Sequence, residues 1–113
     1  MKMQPVYRQD DSELLGHIRH NNDQWEALTV FGVAFATFDT EKDATQAVMT
    51  RGLSSLMGQW EFLEDDTTDW EPCVITEASP KYVRIAKMHG PYPDTSKTYL
   101  IQDDIPTRLR PAA

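Results

Sequence analysis

The first third of the chain alternates apolar and polar residues, the pattern of strands with one buried face. Residues 14–20 show it clearly, and residues 5–9 and 24–31 follow the same period. Turns rich in Asp and Asn separate these segments. Gly32 then allows a bend before another extended stretch at 33–38. We therefore predict three or four short strands.

The hydrophobic period becomes helical after this stretch. Asp39 and Thr40 are both suitable N-cap residues, and apolar side chains then recur at the spacing of one helical face. Gly52 suits the left-handed conformation that often ends a helix. The pattern predicts one main helix at about 41–51.

The second half returns to strand periodicity, with Trp60 and Phe62 on one strand face. A polar loop at 65–69 precedes further short strands. The predicted strands that follow the loop are 70–77, 82–88 and 97–102. The predicted fold class is α+β: an antiparallel sheet with one main helix, followed by a small SH3-like barrel or a curled β-meander. At 113 residues the chain is the size of one domain, 1–113, in which 1–57 and 58–111 share a core.

One succession of residues in the second half carries a family resemblance. Trp60-Glu61-Phe62 and an acidic loop lead to Trp70-Glu71-Pro72-Cys73-Val74-Ile75, then to Tyr82-Val83-Arg84-Ile85 and finally Arg108-Leu109-Arg110-Pro111. Residues 58–111 thereby resemble small SH3-like barrels of the Tudor type. The resemblance implies an aromatic cage that holds methylated lysine or arginine. The candidate cage residues are Trp70, Tyr82, Tyr92 and Tyr99.

Composition narrows the partners and the compartment. The net charge of −7 argues against nucleic acid as the main ligand, because phosphate backbones need clustered Lys and Arg. A single cysteine excludes an internal disulfide. No apolar run has the length of a membrane span, and residues 1–8 lack the core of a signal peptide. These features predict a cytoplasmic protein without a membrane partner.

Acidic residues are concentrated in one short stretch. Seven of them lie between Gly58 and Glu77, with no Lys or Arg among them, so this stretch equals the net charge of the whole chain. A solvated hairpin would explain this. The sharper hypothesis is a docking surface for a basic protein partner, with a tryptophan as its anchor. Its candidate residues are Trp60, Glu64, Asp65, Asp66, Asp69 and Trp70.

Basic residues near tyrosines give the alternative hypothesis of a barrel that binds nucleic acid. Such a surface stacks bases on aromatic rings and neutralises phosphates with cations. Scattered surface charges would also account for the pattern. The candidate residues are Tyr82, Arg84, Tyr92, Tyr99 and Arg108.

Catalytic chemistry has no supporting motif, so an enzyme or a ligand-binding protein ranks third. His17 and His20 are three apart on a strand, which points them to opposite faces and away from a shared metal ion. Cys73 has acidic and apolar neighbours, which raise a thiol pKa and favour a buried structural role. No motif indicates a metal or a cofactor. We therefore predict a non-catalytic protein-interaction module.

Overall fold

The computed structural model describes residues 3–64 and 68–112. The chain divides into two compact units, Met1–Leu56 and Met57–Ala113. Both contain antiparallel sheets and the first also carries the main helix, which confirms the α+β class. That the two halves share one core stays a prediction.

The first unit is a four-stranded antiparallel sheet with one long helix. The strands lie side by side in chain order, and each pairs with the next. The third is shorter than expected, because Thr29 and Val33 close a turn through a backbone hydrogen bond of 2.9 Å. The elements are β1 (Gln4–Tyr7), β2 (Leu14–Asn21), β3 (Gln24–Leu28), β4 (Ala34–Phe38) and α1 (Glu41–Arg51).

Helix α1 covers one face of this sheet and has the predicted bounds. Of the two predicted N-cap candidates, Thr40 is the N-cap, and its hydroxyl accepts from the Asp43 N–H at 3.2 Å. Apolar side chains of the helix pack against the sheet because helical spacing puts them on one face. The core cluster consists of Val6, Leu15, Ile18, Ala27, Ala44, Ala47 and Val48.

The predicted conformation of Gly52 is wrong. Its φ is −54°, in the right-handed region, and its N–H donates to the Val48 carbonyl at 2.8 Å. A Cβ at this position would collide with the carbonyl oxygens of Leu15 and Val48. Glycine is therefore required here by the close approach of two backbone segments, and not by a left-handed turn.

The elements of the second unit are β5 (Trp60–Leu63), β6 (Trp70–Ala78), β7 (Val83–His89), β8 (Tyr92–Pro93), β9 (Tyr99–Ile101), α2 (Ile105–Arg108) and β10 (Leu109–Pro111). The strand order in its sheet is β10-β5-β6-β7-β8, and β9 also pairs with β7. The sheet is open, so the SH3-like barrel, one of the two predicted alternatives, is not confirmed. The prolines at 91 and 93 limit β8 to two residues, consistent with the expectation that this segment is no central strand.

Replacing Gly52 with alanine tests whether packing or helix propensity dominates at this position. In an unstrained right-handed site, Gly→Ala stabilises a protein by about 0.4–1 kcal/mol. We expect G52A instead to lower the free energy of unfolding by about 1–3 kcal/mol, because the new methyl group meets rigid backbone. Urea denaturation followed by circular dichroism measures the difference. An unchanged or higher stability would contradict the packing argument.

Candidate functional site

The acidic stretch of the sequence is interleaved with cations in space. Strand β10 lies beside β5, with Arg110 directly opposite Glu61. The Arg110 Nε donates to the Glu61 carboxylate at 2.8 Å. These residues are 49 positions apart in the sequence, so the linear charge pattern conceals their pairing. The basic and acidic groups that the sequence separates therefore neutralise each other in part.

Lys87 on β7 is the centre of a second charged cluster. Its ammonium group lies 2.9 Å from carboxylate oxygens of both Glu64 and Glu71. These two hydrogen bonds raise the pKa of Lys87 above its ordinary value. The ammonium also lies 5.0 Å from the centre of the Tyr99 ring. Two carboxylates thus share one cation at this end of the sheet.

The two tryptophans of the predicted docking surface have different environments. Trp60 is only 1% exposed, so it is a core residue, and its predicted role as an exposed anchor is corrected. Trp70 is half-buried at the start of β6. The Arg110 guanidinium carbon lies 3.9 Å from the centre of the Trp70 ring. Of the two, Trp70 remains the candidate anchor.

The predicted acidic loop is only partly described. Glu64 directly follows the last residue of β5 and takes part in the Lys87 cluster. Asp69 is exposed and lies immediately before β6. Asp65 and Asp66 lie outside the described residues. Trp70 pairs with Leu63 across the two strands, which places Asp69 and Glu64 at the same end of the β5–β6 hairpin.

The alternative aromatic and basic group falls into separate places. Tyr82 donates to Glu77 at 2.6 Å, and Arg84 reaches the same carboxylate at 3.4 Å. The hydrogen bond between Tyr82 and Glu77 raises the pKa of Tyr82 and lowers the pKa of Glu77. Tyr99 and Arg108 instead lie at the Phe62 ring, with centroid distances of 5.8 and 5.5 Å.

The four candidate cage residues do not come together around one ligand. Trp70 begins β6 and Tyr82 follows its far end, a separation of about 25 Å at the usual rise per residue. Tyr99 packs against Phe62, and Tyr92 is 74% exposed at the start of the two-residue strand β8. Each ring therefore has its own surroundings, and the arrangement lacks the converging aromatic walls of a cage.

The residues considered for catalysis are also dispersed. His17 places its Nδ1 3.1 Å from the Thr29 carbonyl oxygen, whereas the His20 ring stacks on Trp25 at 4.6 Å. No group of three His, Cys, Asp or Glu that could hold a metal occurs in the described ranges 3–64 and 68–112. Cys73 is buried, as the sequence predicted. Burial, aided by the charge of Glu61, raises the pKa of its thiol to about 12.

Two surface depressions are large enough to be candidate ligand sites. One, of about 340 Å³, is lined by His89 at the end of β7, by Tyr92 and Pro93 of β8, and by Asp94. The other, of about 440 Å³, lies on the outer side of α1 beside Glu41 and Gln46. Asp94, which follows β8, accepts hydrogen bonds from the backbone N–H and the hydroxyl of Ser96, and these bonds lower the pKa of its carboxyl. His89 and Asp94 both line the first depression, but among the described residues neither depression is lined by a serine or a cysteine that could act as a nucleophile.

Comparison with known proteins supplies no relative. No protein-family model matches the chain, and no curated protein or solved structure is significantly similar to it. Among the described residues, the helices are too short and too polar to cross a membrane.

The buried thiol of Cys73 should be unreactive in the folded protein. With a pKa of about 12, about one molecule in 10,000 carries the thiolate at pH 8. We expect an aromatic disulfide reagent to modify Cys73 in the native protein at least a hundredfold more slowly than in urea. Absorbance at the wavelength of the released thiolate measures both rates. Equal rates would show that the thiol is accessible without unfolding.

Replacing Lys87 with methionine should destabilise the second unit by about 1 kcal/mol at neutral pH, because Glu64 and Glu71 lose their shared cation. Lysine has an unfolded pKa of about 10.4. The raised folded pKa means that its contribution is complete below that value and declines as pH rises further. Urea denaturation between pH 7 and 11 measures this trend. The exposed Lys81, replaced in the same way, is the control; an equal loss in both variants would contradict the cluster's role.

Proposed function

We propose that this chain is a non-catalytic protein-interaction module that docks a basic protein partner at the end of the β5–β6 hairpin. We call residues 64–70 the hairpin end. The observation that carries the proposal is the sharing of one ammonium, that of Lys87, by Glu64 and Glu71. Asp69, which lies nearby on the same hairpin, is exposed and adds a further carboxylate.

The charge of the whole second unit supports an electropositive partner. This unit contains ten acidic and six basic residues, a net charge of −4. An excess of one sign at a surface speeds the encounter with a partner of the opposite sign. Trp70, half-buried at the edge of the hairpin end, supplies apolar area that a partner can desolvate.

Nucleic acid is less well supported as the ligand. Arg84, Lys87 and Arg110 each already contact a carboxylate of the same unit. A phosphate would have to compete with these partners, against a net charge of −7.

The proposal also includes a small SH3-like architecture for the second unit and a cytoplasmic location. The cytoplasmic location rests on the single cysteine.

A fourfold neutralised variant tests the hairpin end. It carries the changes E64Q, D65N, D66N and D69N, and its probe is a synthetic 20-residue peptide in which Lys and Arg alternate with Ser. We expect its association rate at 20 mM salt to fall at least fivefold, because long-range attraction is lost. The difference should vanish at 0.5 M salt, where screening lengths are roughly 4–5 Å. Stopped-flow fluorescence measures the rates.

A charge-matched control separates local from overall charge. Its four changes, D10N, D23N, E41Q and D103N, remove the same number of exposed carboxylates from positions outside residues 64–70. We expect it to keep most of the parent association rate. If the fourfold neutralised variant keeps the parent rate, or if the control loses as much, the hairpin end is no docking surface. Nuclease-treated lysate passed over the immobilised parent and both variants then identifies the natural partner.

A further inference from the structure

Three neighbouring strands of the second unit build a small contact site around one guanidinium. Glu61 on β5 faces Arg110 on β10, and Trp70 begins the next strand, β6. The arginine side chain crosses β5, donates to Glu61 at 2.8 Å and lies 3.9 Å from the Trp70 ring centre. An aromatic face beside a carboxylate is the chemistry that recognises arginine, which stacks and donates hydrogen bonds at once.

This site is open to solvent. The side chain of Arg110 is 49% exposed and that of Glu61 is 31% exposed. Exposed ion pairs contribute little to folding, so the arginine is replaceable without loss of the sheet. By contrast, the adjacent Leu109 is fully buried and anchors β10 whatever the residue at position 110. The position of the strand and the occupation of the site are therefore separable.

We propose that Trp70 and Glu61 form a binding site for an arginine side chain of the partner, and that Arg110 occupies this site in the free protein. The inference rests on the proposed function, since it names the side chain by which the basic partner is recognised. In the complex, the partner's guanidinium takes the same stacked position and bonds the same carboxylate. Arg110 then turns outward to solvent.

Arginine is favoured over lysine at this site for a geometric reason. A guanidinium is planar and lies flat on an indole ring at 3.9 Å, whereas an ammonium group is a compact, strongly hydrated charge. The site therefore discriminates between two probes of equal charge. Attraction by the hairpin end alone does not make this distinction, because it depends on charge and not on shape.

The decisive variant is R110Q, which replaces the internal guanidinium with a shorter, uncharged polar side chain. A site occupied about four-fifths of the time binds a competitor about fivefold more weakly than an empty one. We expect hexa-arginine to bind R110Q about fivefold more tightly than the parent chain, and hexalysine to gain less than twofold. Titration followed by the indole N–H resonance of Trp70, assigned with W70L, measures both affinities and locates the site.

Further variants keep the outcome unambiguous. Adding E61Q to R110Q should abolish the gain, and R110K should bind hexa-arginine with an affinity between those of the parent and R110Q. Equal affinities of the parent and R110Q, equal gains for the two peptides, or an unmoved Trp70 resonance would each overturn the proposal. The fourfold neutralised hairpin end serves as a separate background. If it leaves association unchanged while R110Q still gains affinity, the hairpin end fails and the arginine site stands.

Discussion

The register of the antiparallel strands in the second unit determines which charged side chains lie next to each other. Because β10 lies on one side of β5 and β6 on the other, Arg110 is brought beside Glu61 and within reach of Trp70. A slip of one residue would turn every side chain of β10 to the opposite face. Leu109 prevents that slip, since its burial against the sheet fixes the face to which its neighbours project. The electrostatics of this surface thus depend on one buried leucine.

The interior of the first unit depends on a different constraint, the close approach of α1 to β2. A Cβ on Gly16 would collide with the Leu28 carbonyl oxygen on β3 and would be 2.9 Å from the Val48 side chain on α1. A Cβ on Gly52, which follows α1, would strike the backbone of Leu15 on β2. Small residues at both places let the helix lie close enough for Ala44 and Ala47 to fill the core. The tight approach compensates for a helix with few large apolar side chains.

Features determined by neighbouring residues in the sequence were predictable. Contacts that depend on how distant strands pair were not. The bounds of α1, its Thr40 cap and the shared face of Trp60 and Phe62 follow from period and capping chemistry within a few residues. The strand period places Trp60 and Phe62 on the same face of β5 but does not show whether that face is buried. Trp60 was therefore wrongly predicted to be an exposed anchor. Glu61 and Arg110 illustrate the harder case, because 49 intervening residues hide their pairing.

Basic side chains of the second unit contact both aromatic rings and carboxylates of the same unit. These contacts reduce their availability for a ligand. Lys87, Arg108 and Arg110 each lie within 6 Å of an aromatic ring centre, whereas significant contacts of this type average about one in 70–80 residues. Lys87 and Arg110 bond carboxylates as well. A charge held between a ring and a carboxylate projects little field into solvent. Asp69 is exposed beside the Lys87 cluster. The proposed long-range attraction and the proposed arginine contact at Trp70 and Glu61 therefore involve neighbouring but different groups.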